Sequence, residues 1–399
     1  MAYNENTDDI HGFDLKLSQS VAKFNKVKTS DRNKQLVTDF LKTHKRKGNR
    51  KSTLAANCAI FIQIISRYYI NKDLDQMTED DFDNILESLE RDKLTDYNYR
   101  KTIKKFFRWH TNENVPKWVK DIKMPLTKTP VQPQDLLTKD EVNRLLNACG
   151  NPRDKAMISI ALDSSLRIGA LGTLKIKSIA QNKSGAVLYI SPTSKNIKST
   201  QPKPIPITWS VGYLNKWLDV HPLKDNPDAP LWVNLHGKTR NQLMSYKIIR
   251  QSLCNVAETA GIKKRVFFHL FRHQKITDMI LNGFSEQQIK YQAGWAKGSS
   301  RMLDIYGNFM DADMVDSIFE KQGLKSRDEN SKQVTLTKCP RCDVVLISEA
   351  RVCHQCALIL DASLDKERLG IEDDFGEKAF LKMMENPKIM AMFKEMVNK

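Results

Sequence analysis

The sequence predicts an α+β protein that is mostly helical, with a small antiparallel sheet and a metal-binding module near its C-terminus. Apolar residues recur with helical periodicity through most of residues 15–111. Residues 186–208 read as two apolar strands around a polar tip, which is typical of a β-hairpin. Two Cys-x-x-Cys pairs, at 339–342 and 353–356, have the spacing of a metal site.

Composition favours a nucleic-acid partner. The chain has 399 residues, enough for two or three domains with buried cores. Its 64 Lys and Arg residues outnumber its 47 Asp and Glu residues, and the formal net charge is +17. Because Lys and Arg neutralise phosphates and release counterions, this excess favours a polyanion. The alternative reading of the same charge is a merely basic, well-solvated protein.

The N-terminal sequence and the scattered cysteines predict a cytoplasmic protein with no membrane partner. Residues 1–14 are polar and acidic, and they predict a disordered arm rather than a signal peptide. The most apolar run, 54–65, is too short to span a bilayer. Three cysteines stand singly at 58, 149 and 254, which indicates a reducing compartment. The sequence has no G-x-x-x-x-G-K phosphate loop, so no ATP site is expected.

Residues 15–111 predict a small helical bundle with two basic features. Helices are expected near 15–26, 30–43, 52–70, 79–91 and 96–110, and Thr78 is a candidate cap of the fourth. Residues 42–51 form a basic turn that includes Lys45, Arg46 and Lys47. The last helix places five basic residues on one face, which either contacts phosphates or is an ordinary solvated surface. These five are Arg100, Lys101, Lys104, Lys105 and Arg108.

A proline-containing linker and a mixed domain follow. Residues 112–135 contain four prolines and little periodicity, so they predict an extended interdomain linker. The second domain is expected at 136–325, and a capping box from Thr138 to Glu141 begins its first helix. In the hairpin, prolines alternate at 202, 204 and 206, so their missing N–H groups fall on one side of the strand. This is tolerated only at a sheet edge.

Residues 269–306 carry the residues best suited to chemistry. His269 and Arg272 stand three apart at the start of an apolar-periodic run, so they share one helix face. A guanidinium fork suits phosphate oxygens, and an imidazole exchanges a proton near neutral pH. Gly283 can end this helix, and a capping box at 285–288 begins a second helix, which Gly294 should close.

Trp295 follows this second helix, and Tyr306 comes 11 residues later on a short amphipathic segment at 301–309. Tyr306 is the candidate nucleophile. Taken alone, a His-x-x-Arg pair or a tyrosine on an amphipathic helix is usually part of a surface or a core. The order of the motifs changes this interpretation.

The order His-x-x-Arg, Gly-Trp, Tyr resembles the C-terminal signature of the tyrosine recombinase/integrase family, which includes phage integrase and Xer-like members. That family also carries an earlier arginine and a lysine on a hairpin. Arg167, in LDSSLRIGALGTLK, matches the arginine, and Lys195 at the hairpin tip matches the lysine, with Lys198 as the alternative. The resemblance covers residues 136–323. The sequence departs from it at Ala170, where many members have a carboxylate, and at Asn308, where many have a histidine.

The resemblance implies a DNA strand-exchange enzyme that forms a 3′-phosphotyrosyl intermediate, with residues 15–111 as a core-binding domain. It also implies a homo-oligomer, as a tetramer, on double-stranded attachment sites. The expected role is integration or excision of a virus or plasmid, and the alternatives are chromosome-dimer resolution, a type IB topoisomerase and a non-catalytic zinc-ribbon DNA-binding regulator. The implied catalytic residues are Arg167, Lys195, His269, Arg272, Trp295 and Tyr306.

Residues 326–365 predict a zinc ribbon, and residues 366–399 a Met-rich amphipathic tail. Four thiolates at this spacing suit one tetrahedral zinc, and a closed site of this kind is structural because it leaves no position for water. The ligands are Cys339, Cys342, Cys353 and Cys356, with His354 as a bystander. The ribbon would contact DNA or protein, and the tail would dock on a partner or on its own chain. With this ribbon and with Gly-Trp at 294–295, the chain resembles archaeal members of the Xer-related branch.

Overall fold

The computed structural model describes residues 9–68, 72–89, 93–125, 131–182, 185–190 and 204–296, together with isolated positions after residue 297. The chain divides into two compact units, and the boundary lies between Val131 and Gln132. Residues 245–247 group with the first unit.

The first unit is a helical bundle, as the sequence predicts. Its core includes an aromatic cluster in which the Phe40 ring lies 5.2 Å from Phe61 and 6.1 Å from Phe106. The predicted cap at Thr78 is confirmed, because its side chain accepts from the Asp81 N–H while the Asp81 carboxylate accepts from the Thr78 N–H. The helices are α1 (Phe13–Asn25), α2 (Asp31–Arg46), α3 (Lys51–Tyr68), α4 (Glu79–Ser88), α5 (Lys93–His110) and α6 (Lys117–Asp121).

Both predicted irregular segments are partly ordered. In the predicted arm, Ile10 is buried and His11 stacks on Phe13 with ring centroids 4.9 Å apart. In the predicted linker, α6 carries Val119, which is fully buried in the core of the first unit. The first part of 112–135 therefore belongs to the bundle, because its apolar side chains gain free energy by leaving water. Helical periodicity was too short there to predict α6.

The second unit is mixed, with α8 as its central helix. From Arg153 to Ser164 this helix is buried at every position except Lys155, and it packs against α7, α10, α12 and β3. The elements are α7 (Lys139–Asn147), α8 (Pro152–Ser164), α9 (Ile168–Gly172), β1 (Ile179–Asn182), β2 (Gly185–Tyr189), β3 (Pro204–Ile207), α10 (Val211–Asp219), α11 (Tyr246–Thr259), α12 (Phe268–Leu281) and α13 (Glu286–Gln292).

The three strands form an antiparallel sheet in the order β1-β2-β3. Pro204 pairs with Tyr189 and Pro206 pairs with Val187, so both prolines lie on the edge strand that the sequence predicts. Their side chains are exposed, whereas Ile205 and Ile207 are buried. Pro202, the third proline of the predicted edge strand, lies outside the described residues.

The helix boundaries around the predicted site are confirmed. The capping boxes at Thr138 and Ser285 begin α7 and α13. Gly283 and Gly294 follow α12 and α13 with positive φ angles of 73° and 60°, a left-handed backbone that glycine adopts without strain. Among the helices that the structure describes, none has the length and apolar content needed to cross a membrane.

Candidate active site

Arg272 is held in one orientation by two backbone carbonyls. It lies on the first turns of α12 and is only 4% exposed. One terminal nitrogen donates to the Ser165 carbonyl at 2.9 Å, and the other donates to the Ala293 carbonyl at 2.6 Å. Because the guanidinium is planar, these two hydrogen bonds fix its direction as well as its place.

Trp295 packs against this guanidinium. The guanidinium carbon of Arg272 lies 5.5 Å from the ring centroid, within the range of a cation–π contact. Trp295 is 6% exposed and belongs to a buried cluster with Ile276, Met279 and Ile289. The structure therefore brings together two of the six predicted catalytic residues in direct contact.

The turn before Arg167 supplies one of the carbonyls. Ser165 ends α8 in a left-handed conformation, with φ 58° and ψ 14°, and it is fully buried. Its carbonyl accepts from Arg272, and its hydroxyl donates to the Gln292 carbonyl at 3.0 Å. Arg167 follows two residues later as the N-cap of α9 and is half-buried. The turn before Arg167 is therefore hydrogen-bonded to the Arg272 side chain.

His269 lies on α12 three residues before Arg272. Its side chain is exposed, whereas Arg272 is buried. The His269 ring makes an edge contact with His273, with centroids 4.9 Å apart and an interplanar angle of 84°. An exposed imidazole at this position is accessible to a substrate.

Most of the remaining predicted catalytic and metal-binding residues lie outside the described ranges. Lys195, the alternative Lys198 and Tyr306 are outside the described residues, as are Cys342 and Cys356. Cys339 and Cys353 are described, and they are 0% and 2% exposed. Within the part of the chain that the structure describes, no three His, Cys, Asp or Glu side chains are close enough to hold a metal ion.

Polar residues inside the domain connect the site elements, and the sequence did not single them out. Gln292, at the end of α13, donates to the Ser164 carbonyl at 3.1 Å and to the Pro206 carbonyl at 3.2 Å. Asp163, at the end of α8, accepts from residues after β3 and from α12. For Asp163 the available signal was a charged residue after an apolar run, as in ISIALDSS.

Burial also changes the acidity of one carboxyl group on α12. Burial raises the pKa of Asp278 to about 6, although a hydrogen bond from Gln274 and the Lys275 ammonium both act to lower this pKa. The Gln274 amide nitrogen lies 3.3 Å from the carboxylate. The Asp278 carboxyl therefore titrates near neutral pH.

Four of the five predicted DNA-binding residues of α5 divide into two groups, and Arg108 belongs to neither. Arg100 pairs with Asp96 at 2.6 Å, and Lys104 donates to the carbonyls of Lys120 and Ile122 at 3.1 and 2.8 Å. Lys104 therefore binds the segment around α6, and so does Arg100, which donates to the Lys123 carbonyl at 3.4 Å. Arg108 is exposed and lies 3.9 Å from Glu113.

Lys101 and Lys105 form the second group, close to the C-terminal end of α2. The Lys105 ammonium lies 5.7 Å from the Phe40 ring centroid. Burial lowers the pKa of Lys105, and the ammonium groups of Lys101 and Lys47 lower it further. Lys47 and its neighbours Lys45 and Arg46 are exposed. Positive charge is therefore concentrated where α2 and α5 meet.

Comparison with known proteins identifies relatives of the second unit. Residues 135–311 match the phage integrase family. No curated protein sequence matches the chain. At the identities found for solved structures, the similarity shows a shared fold.

Three solved structures resemble most of the chain. The Tn1549 transposon integrase in complex with circular intermediate DNA is 15% identical with a TM-score of 0.55, and the match covers 71% of this chain and 98% of the integrase. A lambda integrase dimer bound to a COC′ core site is 16% identical with a TM-score of 0.53, over 75% and 80% of the two chains. XerH recombinase bound to palindromic difH after cleavage is 15% identical with a TM-score of 0.51, over 80% and 99%.

Proposed function

Because residues 135–311 match the phage integrase family, we propose that the chain is a site-specific DNA recombinase acting through a 3′-phosphotyrosyl intermediate. The observation that carries this proposal is the buried guanidinium of Arg272, held by the carbonyls of Ser165 and Ala293 against Trp295. Donors fixed before the reaction stabilise developing negative charge without a cost of reorientation. A scissile phosphate is the substrate group that this arrangement suits.

In the proposed mechanism, the Tyr306 hydroxyl oxygen attacks the scissile phosphorus. The bond from this oxygen to phosphorus forms, and the bond from phosphorus to the 5′-oxygen breaks, which leaves a free 5′-hydroxyl. Since the phosphotyrosyl bond conserves the energy of the phosphodiester, rejoining to another strand requires no ATP. Reversal of the same step with a new 5′-hydroxyl completes the exchange.

The other residues would act on charge and protons. Arg167 and Arg272 would bind the non-bridging oxygens of the phosphorane, and the Trp295 indole N–H would be a further donor. His269 would take the Tyr306 proton or help to hold the phosphate. Lys195 would protonate the leaving 5′-oxygen as a general acid, with Lys198 as the alternative.

The DNA partner would be a double-stranded attachment site. The positive charge at the junction of α2 and α5 in the first unit supports phosphate contact. Lambda integrase is known as a tetramer on a Holliday junction, and we extend a tetramer on paired sites to this chain. We further propose integration or excision of a virus or plasmid, in the cytoplasm of an archaeal host.

A structural zinc in a C-terminal ribbon is part of the proposal. Cys339 and Cys353 are both buried, which fits thiolates enclosed around a metal better than reactive surface thiols. With Cys342 and Cys356 they would supply four thiolates. Such an ion would stabilise the ribbon, and no step of strand exchange would pass through it.

A recombination assay tests this function. Two duplexes of different length that carry candidate attachment sites are mixed with the protein, and the expected result is joined products of new length. Relaxation of supercoiled DNA without joined products would favour a type IB topoisomerase. Binding without joining or relaxation would favour a non-catalytic regulator.

A further inference from the structure

Asp163 is a buried carboxylate at the end of α8, four residues before Arg167, and it is 1% exposed. A buried charge is stable only when donors surround it. One of its oxygens accepts from the Thr208 N–H at 2.6 Å, from the Ser210 hydroxyl at 2.9 Å and from the Ser210 N–H at 3.3 Å. All three donors belong to the chain that leaves β3.

The second carboxylate oxygen faces α12. It lies 3.2 Å from the ammonium nitrogen of Lys275 and 3.3 Å from the Thr208 hydroxyl. Lys275 is three residues after Arg272, so the two side chains leave α12 about one turn apart. One carboxylate therefore connects α8, the segment after β3 and the helix that carries Arg272.

A neighbouring bridge joins the same turn and the same edge strand. Gln292 binds the carbonyls of Ser164 and Pro206, and its own carbonyl accepts from the Ser165 hydroxyl. The end of α8 is thus fixed by Asp163 on one side and by Gln292 on the other. Ser165, whose carbonyl orients Arg272, follows Asp163 by two residues and is itself bound to Gln292.

We propose that Asp163 is a positioning residue for strand cleavage, acting with Lys275 to hold α12, and hence Arg272, in register with the Arg167 turn. This inference rests on the proposed function. Ion pairs buried in this way contribute little net stability over apolar residues of the same volume, but they fix geometry where a misplacement of about 1 Å can cost 100-fold in rate.

Three substitutions test the role of the pair. Lys275→Met removes the ammonium, Lys275→Arg keeps a cation at the same place, and Asp163→Asn keeps the shape of the carboxylate without its charge. A matched control is available in the same unit, where Lys264 and Glu141 form an ion pair at 2.8 Å. Lys264→Met and Glu141→Gln break a more exposed pair, with side chains 29% and 15% exposed against 22% and 1% for Lys275 and Asp163, that contacts neither Arg272 nor the turn before Arg167.

The measurement is the single-turnover cleavage rate on a nicked duplex at saturating protein, together with duplex affinity and the melting temperature. We expect Lys275→Met and Asp163→Asn to slow cleavage by about tenfold to 100-fold while affinity for the duplex stays within about threefold of wild type. Lys275→Arg should restore most of the rate. The control variants should cleave at the wild-type rate.

Two results would overturn the inference. One is a wild-type cleavage rate in Lys275→Met and in those molecules of Asp163→Asn that fold. The other is an equal loss of rate in the control variants, which would assign the effect to general destabilisation. Failure of the wild-type protein to cleave any duplex is a separate result, because it would contradict the proposed function itself.

Discussion

The guanidinium carbon of Arg272 lies 5.5 Å from the centre of the Trp295 indole, so the first turns of α12 meet the residue that follows α13. The two residues stand 23 positions apart in the sequence. The intervening helices return the chain upon itself because Gly283 and Gly294 end each helix with a left-handed residue. The contact makes Trp295 a packing partner of Arg272, and this role is separable from its proposed role as a hydrogen-bond donor.

Substitution of Trp295 separates these roles. Trp295→Ala removes a buried ring and should lower the free energy of unfolding by about 3 to 5 kcal/mol. Trp295→Phe keeps an aromatic face for Arg272 but removes the indole N–H, so it should slow cleavage by about 100-fold or more with a smaller effect on stability. Thermal melting and single-turnover cleavage measure the two effects. A wild-type cleavage rate in Trp295→Phe would leave packing as the role of this residue.

The two groups of basic residues on α5 predict different effects on DNA binding. Lys105→Ala removes a charge beside Lys101 and Lys47, and should weaken binding to all DNA sequences. It should also reduce the salt slope, which is the slope of the logarithm of the binding constant against the logarithm of salt concentration, by about 1. Lys104→Ala removes a donor to the Lys120 and Ile122 carbonyls, and should lower the melting temperature with the salt slope unchanged. Titration at several salt concentrations gives both slopes. Equal slopes in the two variants would refute this division.

The Asp278 carboxyl predicts a pH dependence of stability. Its pKa is about 6 in the folded protein, against 3.8 for the ordinary carboxyl, because of burial. A raised folded pKa means that the neutral form favours folding, so the stability that this carboxyl contributes is fully present below about pH 4 and is lost as the pH rises to about 6. Asp278→Asn keeps an acceptor for Gln274 and should be more stable than wild type at pH 7, by about 1 to 3 kcal/mol.

Urea unfolding of both proteins between pH 4 and pH 7 tests the Asp278 prediction. The difference in unfolding free energy should grow between pH 4 and pH 6 and stay constant above. A constant difference over the whole range would show that this carboxyl has an ordinary pKa.

The proposed zinc ribbon predicts one tightly bound zinc per chain. Cys339→Ser and Cys353→Ser each remove one thiolate from the proposed site, so the purified variants should lose the metal and melt at a lower temperature. Cys254→Ser is a matched control, because Cys254 is exposed and outside the ribbon. Metal analysis measures the stoichiometry. Wild-type protein without zinc, or an equal loss in the control, would contradict the proposed ligands.

Local signals in the sequence predict the helix ends and the edge strand. Capping boxes at Thr138 and Ser285, and the alternating prolines of β3, act through contacts within a few residues, so their sequence pattern determines them. The short α6 was missed because five residues are too few to show periodicity. Val115, Val119 and Ile122 are all buried in the core of the first unit, although only Val119 lies within α6.

Long-range polar contacts could not be predicted. Asp163 meets Thr208 across 45 residues, and Gln292 meets Ser164 across 128. Such pairs arise only when α8, β3, α12 and α13 pack together, and no local pattern encodes the partner. The order of the motifs in the chain predicted that they belong to one site. The contacts that join Arg272 to Ser165 and Trp295 depend on tertiary structure and could not be predicted from that order.

Trapping of a covalent adduct tests the central claim most directly. The protein is incubated with nicked duplexes spanning candidate attachment sites, denatured in detergent and examined for a protein–DNA adduct. We expect an adduct that disappears in Tyr306→Phe. The variant should still bind the duplex with wild-type affinity, because the substitution removes only one hydroxyl group. An adduct of equal yield in Tyr306→Phe, or none with wild-type protein on duplexes that it binds, would contradict the phosphotyrosyl mechanism.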